Sequence, residues 1–285
     1  MAQAMLTIGL PIALAWMMFC VGITLSLADF KRVVEFPGKI AAGLTAQLVG
    51  LPLIAYILIH VFALPEVVAV GLWILALAPG GASSNAISHL AGGDSALSIT
   101  MTAVSSLIIP FSLPLMLPLV LSDVSAVIPV KTAILQLVAV TLLPVTIGML
   151  LNHFLKGKGF ARFSVLAGKS ALWALFFTVA VTLAANTAVF SQLFSVASVM
   201  VLLLCLLGMG LGVAVSKLFS GDRKLTRTFA IEVGIQNAGT AIFVAVVQLQ
   251  QPELALTPLL YGVLMNIPAV ILIVLNKRRQ DSVTA

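Results

Sequence analysis

Charged residues are scarce in this sequence. It contains 15 Lys and Arg and nine Asp and Glu among 285 residues, which together make up 8% of the chain. Soluble domains contain about 25% charged residues, so this chain has too few charges to cover a water-facing surface. The hydrophobic fraction is 61% and the mean hydropathy is +1.20. These values exclude a soluble enzyme, a DNA-binding module and a disordered scaffold, and they indicate a membrane protein.

Features that would indicate other classes of protein are also missing. The two cysteines, Cys20 and Cys205, both lie in apolar runs, so no disulfide framework is indicated. The sequence has no G-x-x-x-x-G-K-[ST] phosphate loop, no H-E-x-x-H zinc motif and no G-x-S-x-G serine motif. We therefore expect neither an enzyme nor a bound cofactor, and the energy source that remains is an ion gradient.

Long apolar runs, by contrast, are abundant. A membrane-spanning helix needs about 20 mainly apolar residues, and the chain offers nine such runs with short connections. Pro79 and two following glycines interrupt the third run, and three prolines lie in the fourth. We predict an all-α integral membrane protein with nine transmembrane spans, at about residues 5–27, 39–62, 66–90, 94–121, 128–152, 167–189, 193–217, 225–249 and 254–276.

The basic residues orient these spans. All but Lys131 flank the segments that follow spans one, five, seven and nine, which lie on one side of the membrane. Cytoplasmic loops are enriched in Lys and Arg, so we expect the N-terminus outside and the C-terminus in the cytoplasm of a cell (inner) membrane. The net charge of +6 then reports topology rather than a nucleic-acid partner. The residues concerned are Lys31, Arg32, Lys39, Lys156, Lys158, Arg162, Lys169, Lys217, Arg223, Lys224, Arg227, Lys277, Arg278 and Arg279.

Spans three and eight share a pattern that indicates internal symmetry. Both are interrupted by glycine and polar residues, and they cross the membrane in opposite directions. Many transporters are built from inverted repeats. Pairing span three with eight and four with nine gives a five-helix offset that leaves span five without a counterpart. We therefore predict inverted five-helix repeats in which the first helix of the first repeat is missing.

Glu232 is the one acidic residue that falls inside a predicted span. Polar groups are costly in hydrocarbon and mark function by default. Gln236 shares its face if the helix is regular, whereas Gly234 and Gly239 favour local unwinding. No Lys or Arg lies inside a span to pair with Glu232, which argues against a purely structural ion pair. A protonated glutamate bonded to a neighbour is the alternative.

The break in span three, with the sequence APGGASSN at 78–85, forms a second polar cluster. Pro79 removes a backbone donor, and irregular backbone at membrane depth occurs only inside protein or beside a water-filled cavity. Freed carbonyl, hydroxyl and amide oxygens are the ligands that hard cations prefer. A simple packing kink is the alternative. The matching cluster around Glu232 in the other half favours a site.

The runs APGGASSN at 78–85, ALSITMT at 96–102 and EVGIQNAG at 232–239 resemble the bile acid:sodium symporter family, and the resemblance covers essentially the whole chain. It implies an inverted repeat of two five-helix units, of which this chain looks like a nine-helix member. It also implies a panel domain, residues 1–37 and 123–192, beside a core domain, residues 38–122 and 193–285. Spans three and eight would cross within the core, which would carry the ion sites.

The resemblance further implies two sodium sites and an anion site. The first sodium site would use Ser84, Asn85, Ser98, Thr102 and Glu232. The second would use Gln47, Glu232 and Gln236, with backbone carbonyls near Val233 and Ile235. An organic anion would lie between panel and core, where helix N-termini favour a carboxylate, in the region of Ala82, Ser83, Asn237 and Asn266.

Together, residues and resemblance predict a secondary active transporter. It would couple sodium entry to uptake of an organic anion, bile-acid-like or a small carboxylate such as pantoate, by alternating access. Proton coupling through Glu232 is an alternative on the same fold. A passive channel is another, although a channel should show a polar stripe along several helices. The expected partners are the anion, sodium and the bilayer, with no nucleic acid and no obligate protein partner.

Overall fold

Every regular element in the described chain is helical. The computed structural model describes residues 8–121, 129–155, 157–185, 195–219 and 221–284, without the side chains of residues 82, 172, 175, 176, 179, 182–185 and 278–284. In chain order the helices are α1 (Leu10–Thr24), α2 (Leu27–Glu35), α3 (Pro37–Val61), α4 (Glu66–Ala76), α5 (Ala82–Leu90), α6 (Ser95–Val120), α7 (Val130–Phe154), α8 (Lys158–Ala185), α9 (Val196–Lys217), α10 (Arg223–Gly234), α11 (Ala238–Phe243), α12 (Leu256–Leu264) and α13 (Asn266–Thr284).

Six stretches of the described chain are long and apolar enough to cross a membrane. They are α3, α6, α7, α9, the stretch Arg223–Gln248 that contains α10 and α11, and the stretch Pro252–Lys277 that contains α12 and the first part of α13. The bent pair of α1 and α2 makes a seventh candidate if it is counted as one span. An all-helical, multi-pass membrane protein is thereby confirmed. The count of nine spans stays a prediction.

Two predicted boundaries differ from the structure because charged segments extend or form helices. The loop expected after span one is instead α2, which meets α1 at 69° and is capped by Asp29, whose Oδ2 accepts bonds from the Ser26 backbone and hydroxyl. The sixth span, predicted from residue 167, begins at Lys158, so Arg162 and Lys169 lie within α8 rather than in a connection. Its predicted last residues, 186–189, lie outside the described residues.

Prolines explain the wider helical turns in α3 and α7. Each contains a five-residue π-helical segment, Ala46–Gly50 and Val138–Leu142, that ends two residues before Pro52 or Pro144. A proline cannot donate to the carbonyl one turn earlier, so the preceding turn rearranges its hydrogen bonds. The π-helical segment in α3 places Gln47 fully inside the protein.

The two spans predicted to be interrupted are broken in the structure. One consists of α4 and α5 with an irregular segment from Leu77 to Gly81, and the other of α10 and α11 with a break at residues 235–237. The α10–α11 stretch lies at the centre of the fold, since 89% of its apolar window is buried against 28–50% for the other five. Ile235 and Gln236 in this break are therefore fully buried and Asn237 nearly so, as irregular backbone at membrane depth requires.

Two sets of helices pack closely together. In one, α1 packs against α7 and α8. In the other, α9 packs along α10, where a Cβ at Gly208 or Gly212 would collide with the α10 backbone. The small residues let the helix that carries Glu232 approach its neighbour closely.

Candidate ion site and the adjacent cavity

The two broken spans meet at their breaks. The backbone N–H of Asn237, at the start of α11, donates to the carbonyl of Ala78 over 2.9 Å. The halves of the two broken spans pack against each other in pairs, α10 against α5 and α11 against α4. Each break therefore satisfies a backbone group that the other leaves free.

The carboxylate of Glu232 lies at this crossing and is fully buried. Ser98 Oγ lies 2.5 Å from Glu232 Oε1, and Thr102 Oγ1 lies 3.2 Å from Oε2. The same two hydroxyls lie 2.8 Å and 3.0 Å from Asn85 Oδ1. A hydroxyl carries one hydrogen, so Ser98 and Thr102 supply two hydrogens where three acceptor oxygens converge. The cluster therefore has more lone pairs than donors, which suits a cation.

Ser84 and Gly80 complete this cluster from the broken span. Ser84 Oγ donates to the carbonyl of Gly81 over 2.9 Å, which fixes the first turn of α5. A Cβ on Gly80 would lie 3.2 Å from Glu232 Oε2, 3.4 Å from Gln47 Nε2 and 3.5 Å from Ser84 Oγ. Because Gly80 has no side chain, its backbone can lie close to these three polar atoms. The sequence indicated a helix break at this glycine but not its closeness to Glu232.

Gln47 and Gln236 bring two further amide side chains to the backbone of Glu232 and Val233. Gln47 Nε2 donates to the carbonyl of Glu232 over 2.5 Å, and Gln236 Nε2 donates to the carbonyl of Val233 over 2.8 Å. The amide oxygens of both are buried and find no hydrogen-bond donor among the described residues. A buried acceptor without a partner costs about 1–3 kcal/mol, so each such group needs an explanation. Ile235 is extended, so the chain leaves the helix between Glu232 and Gln236.

All nine residues expected to bind sodium therefore lie at or next to one crossing. Among the described residues, the partners of the Glu232 carboxylate are hydroxyls, and no group of three or more His, Cys, Asp and Glu side chains could hold a metal. The donor set consists of carboxylate, amide, hydroxyl and carbonyl oxygens. Such a set suits a hard cation rather than a transition metal.

A cavity of about 450 Å³ opens beside the crossing. The crossing lines one wall, and α1 and α8 line the other, with Met17, Met18 and Val165 making much of the surface apolar. Of the residues expected near an anion, Ser83 and Asn237 line this cavity. The side chain of Ala82 lies outside the described residues.

Asn266 has a different place from the one expected. Its side chain is exposed and donates to the carbonyls of Gly262 and Val263, while the neighbouring Met265 lines the cavity. The structure therefore brings Ser83 and Asn237 to the cavity but not Asn266.

Two residues at this site escaped the sequence analysis. Tyr261 is fully buried, and its hydroxyl donates to the carbonyl of Gly234, the last residue of α10. A tyrosine in an apolar run gives no signal that distinguishes this role from ordinary packing. Lys169 lines the cavity from α8, although its charge had been assigned to a cytoplasmic flank. Its position three turns into α8 became visible only with the helix boundary.

Comparison of the sequence with known proteins identifies its family. The profile of the sodium bile acid symporter family matches residues 11–193. An uncharacterised sodium-dependent transporter of Bacillus subtilis (strain 168) is 32% identical over 230 residues, which cover 81% of this chain and 71% of the relative. The hepatic sodium/bile acid cotransporter of Homo sapiens is 31% identical over 241 residues, covering 81% of this chain and 68% of the relative.

Similarity extends to plants. A chloroplastic protein of Oryza sativa subsp. japonica, named "Probable sodium/metabolite cotransporter", is 29% identical over 248 residues. The match covers 82% of this chain but only 57% of that relative. The chain belongs to the sodium bile acid symporter family, a family of transporters and not of enzymes.

Proposed function

We propose that this protein is a secondary active transporter that couples sodium entry to uptake of an organic anion. The observation that carries the proposal is the oxygen cluster around Glu232, which has more acceptors than hydrogens and includes two buried amide oxygens without partners. A sodium ion would use those lone pairs, and the charge of Glu232 would offset the ion's own charge. The names of the relatives, which include sodium-dependent transporters, support the choice of ion.

We infer two sodium positions at the crossing. Ser84, Asn85, Ser98, Thr102 and Glu232 would hold the first ion. Gln47, Gln236 and Glu232 would hold the second, together with the carbonyls of Val233 and Ile235. The Gln236 amide already occupies one lone pair of the Val233 carbonyl, and a carbonyl oxygen has two, so that ligand is still available.

Coupling between ion and anion follows from sequence neighbours at the crossing. Ser84 belongs to the oxygen cluster and Ser83 lines the cavity, while Gln236 and Asn237 have the same relation on the other span. Sodium would fix the backbone of both breaks and thereby set the cavity side chains one residue away. The anion would then bind a preorganised wall, which is how one ligand strengthens another without touching it.

Alternating access would use the two groups of helices. We infer nine spans, arranged as inverted five-helix repeats that lack the first helix, with the N-terminus outside and the C-terminus in the cytoplasm. The packing of α1 with α7 and α8 supports a panel of residues 1–37 and 123–192. Residues 38–122 and 193–285 would form the core, and the cavity between panel and core would open to each side in turn. Two sodium ions with one monoanion would carry net positive charge inward.

Proton coupling is the second candidate, because Glu232 is buried and its described partners are neutral hydroxyls. A protonated carboxyl could donate one hydrogen to the cluster in place of sodium. Uptake into proteoliposomes separates the two. We expect an inward sodium gradient without a pH gradient to drive uptake of cholate, pantoate or 2-oxobutanoate, and a pH gradient without sodium to drive none.

Replacing the buried carboxylate tests the ion site itself. Glu232→Gln keeps the size of the side chain but removes its charge, so we expect sodium affinity to fall by at least about tenfold. The measurement is the thermal stabilisation of purified protein by sodium chloride relative to potassium chloride, which needs no substrate. Glu253→Gln, at an exposed acid, is the matched control and should behave as wild type. An unchanged sodium response in Glu232→Gln would overturn the proposal.

A further inference from the structure

Lys169 is the one charged side chain among the described residues that line the 450 Å³ cavity. It lies 11 residues after the start of α8, which is roughly 16 Å along the helix. Lys158 and Arg162 already supply positive charge to the first turns of this helix. Lys169 is an exposed side chain on the wall of a largely apolar cavity, and Lys158 and Arg162 already supply the charge that membrane orientation requires.

The local packing of α8 keeps Lys169 on the cavity wall. Trp16 Nε1 of α1 donates to Ser170 Oγ over 2.9 Å, and Cys20 Sγ of α1 donates to the Ala167 carbonyl over 3.2 Å. These contacts hold the residues on either side of Gly168 and Lys169 against α1. Val165 and Gly168 line the cavity on the same helix face, and a Cβ at Gly168 would meet nothing within 4 Å.

Lys169 also has no described partner of opposite charge. None of the acidic side chains in the described part of the chain forms an ion pair with it, and the other cavity residues are apolar or neutral. On the facing wall, Asn237 uses its Oδ1 to accept from the N–H of Thr240, which leaves its Nδ2 toward the cavity without a described acceptor. One wall thus offers a cation and the other an amide donor.

We propose that Lys169 is the residue that recognises the charge of the transported anion. The anionic head would lie at Lys169 on α8, the apolar body against Met17, Met18 and Met265, and a neutral polar group at Asn237. This orientation is the reverse of a carboxylate held at the crossing. The reason is the position of Lys169, since this lysine is the positive charge in the cavity lining and can neutralise one negative charge of a ligand. The inference rests on the proposed transport function.

The test is binding of named anions to purified Lys169 variants. Wild-type protein in sodium chloride is titrated with cholate, pantoate and 2-oxobutanoate, with thermal stabilisation as the readout. We expect Lys169→Gln to weaken binding of the stabilising anion by about tenfold or more, and Lys169→Arg to retain most of it. The methyl ester of that anion, which has no charge, should bind wild type and Lys169→Gln alike. Lys158→Gln, an exposed lysine of the same helix, is the matched control.

The outcomes separate the inference from the function on which it rests. Stabilisation by sodium alone should be unchanged in Lys169→Gln, which shows that the variant is folded and its ion site intact. If Lys169→Gln binds the anion as tightly as wild type, the inference is overturned and the transport proposal stands. If no anion stabilises the wild type in sodium, the transport proposal fails, and the inference fails with it.

A second variant tests the role of the charge if Lys169→Gln folds poorly. Lys169→Cys can be treated with an ethylammonium thiosulfonate reagent, which restores a positive charge, or with the neutral methyl reagent. The native Cys20 and Cys205 are both buried. We expect anion binding to return with the charged reagent only, and equal effects of the two reagents would refute the role of charge.

Discussion

Gly80 is a residue whose contribution comes from the side chain it lacks. Its φ of 20° lies at the edge of the left-handed region, and the position of its missing Cβ is within 3.5 Å of polar atoms of Glu232, Gln47 and Ser84. A side chain at this position would crowd these three groups, most of all the carboxylate of Glu232. The glycine therefore determines both the conformation of the break and the space that an ion would use.

Substituting this glycine should affect the ion site more than the fold. In Gly80→Ala the new methyl group would displace Glu232 or Gln47, so we expect sodium affinity to fall by about tenfold or more. The sodium affinity of the variant is measured by its thermal stabilisation in sodium chloride relative to potassium chloride. Gly210→Ala is the matched control, since a Cβ there meets nothing within 4 Å in the middle of α9. An alanine at Gly80 with a normal sodium response would contradict our account of the site.

Elements of the fold hold the ion cluster through their irregular parts. The π-helical segment of α3 presents Gln47, the end of α10 presents Glu232, and the start of α5 presents Ser84. Backbone groups at the ends of α10 and α5 have no partner within their own helix and need one elsewhere. For α10 the partner is Tyr261 of α12, whose hydroxyl donates to the carbonyl of Gly234. Tyr261 thus positions the break that separates Glu232 from Gln236.

Removing that hydroxyl should loosen the break. We expect Tyr261→Phe to destabilise the protein by about 1 kcal/mol, the size of a hydrogen bond between membrane helices. A role limited to stability would lower the melting temperature alone, whereas a positioning role also reduces sodium affinity. Both are read from thermal melts at increasing sodium concentration. Tyr56→Phe, at an exposed tyrosine of α3, controls for the loss of a hydroxyl.

At the scale of the whole molecule, the function depends on which face of the bundle meets the cytoplasm. The predicted topology gathers the basic residues on one side, and the proposed direction of transport follows from that side being inside. Lys158, at the start of α8, and Lys131, in the first turn of α7, lie in segments predicted on opposite sides, and both side chains are exposed. They therefore offer a direct comparison of the two faces.

Cysteine labelling of intact cells can report this orientation. We expect Lys131→Cys to react with a membrane-impermeant maleimide added outside, and Lys158→Cys to react only after permeabilisation. The two native cysteines are buried, so they should contribute little background. The reverse pattern would invert the topology, and with it the direction of the sodium-driven transport proposed above.

The sequence predicted those parts of the structure that depend on composition and on residues close together in the chain. Scarce charge and long apolar runs predicted an all-helical membrane protein. Pro79 and the glycines of two spans predicted both helix breaks, because a missing donor and a missing Cβ act locally. The start of α8 was missed, because Lys158, Arg162 and Lys169 lowered the hydropathy of residues that are nevertheless helical. The candidate ion-site residues came from family resemblance combined with the single charge inside a predicted span.

The tertiary structure decided which polar groups lie close together. The sequence determined that Glu232, Gln47 and the 78–85 cluster are polar in an apolar chain, since composition and local order are enough for that. It did not determine that Gly80 lies beside Glu232, that Tyr261 bonds to the end of α10, or that Lys169 lines a cavity while Asn266 does not. These facts depend on helix rotation and crossing, which long-range packing sets and no local pattern encodes.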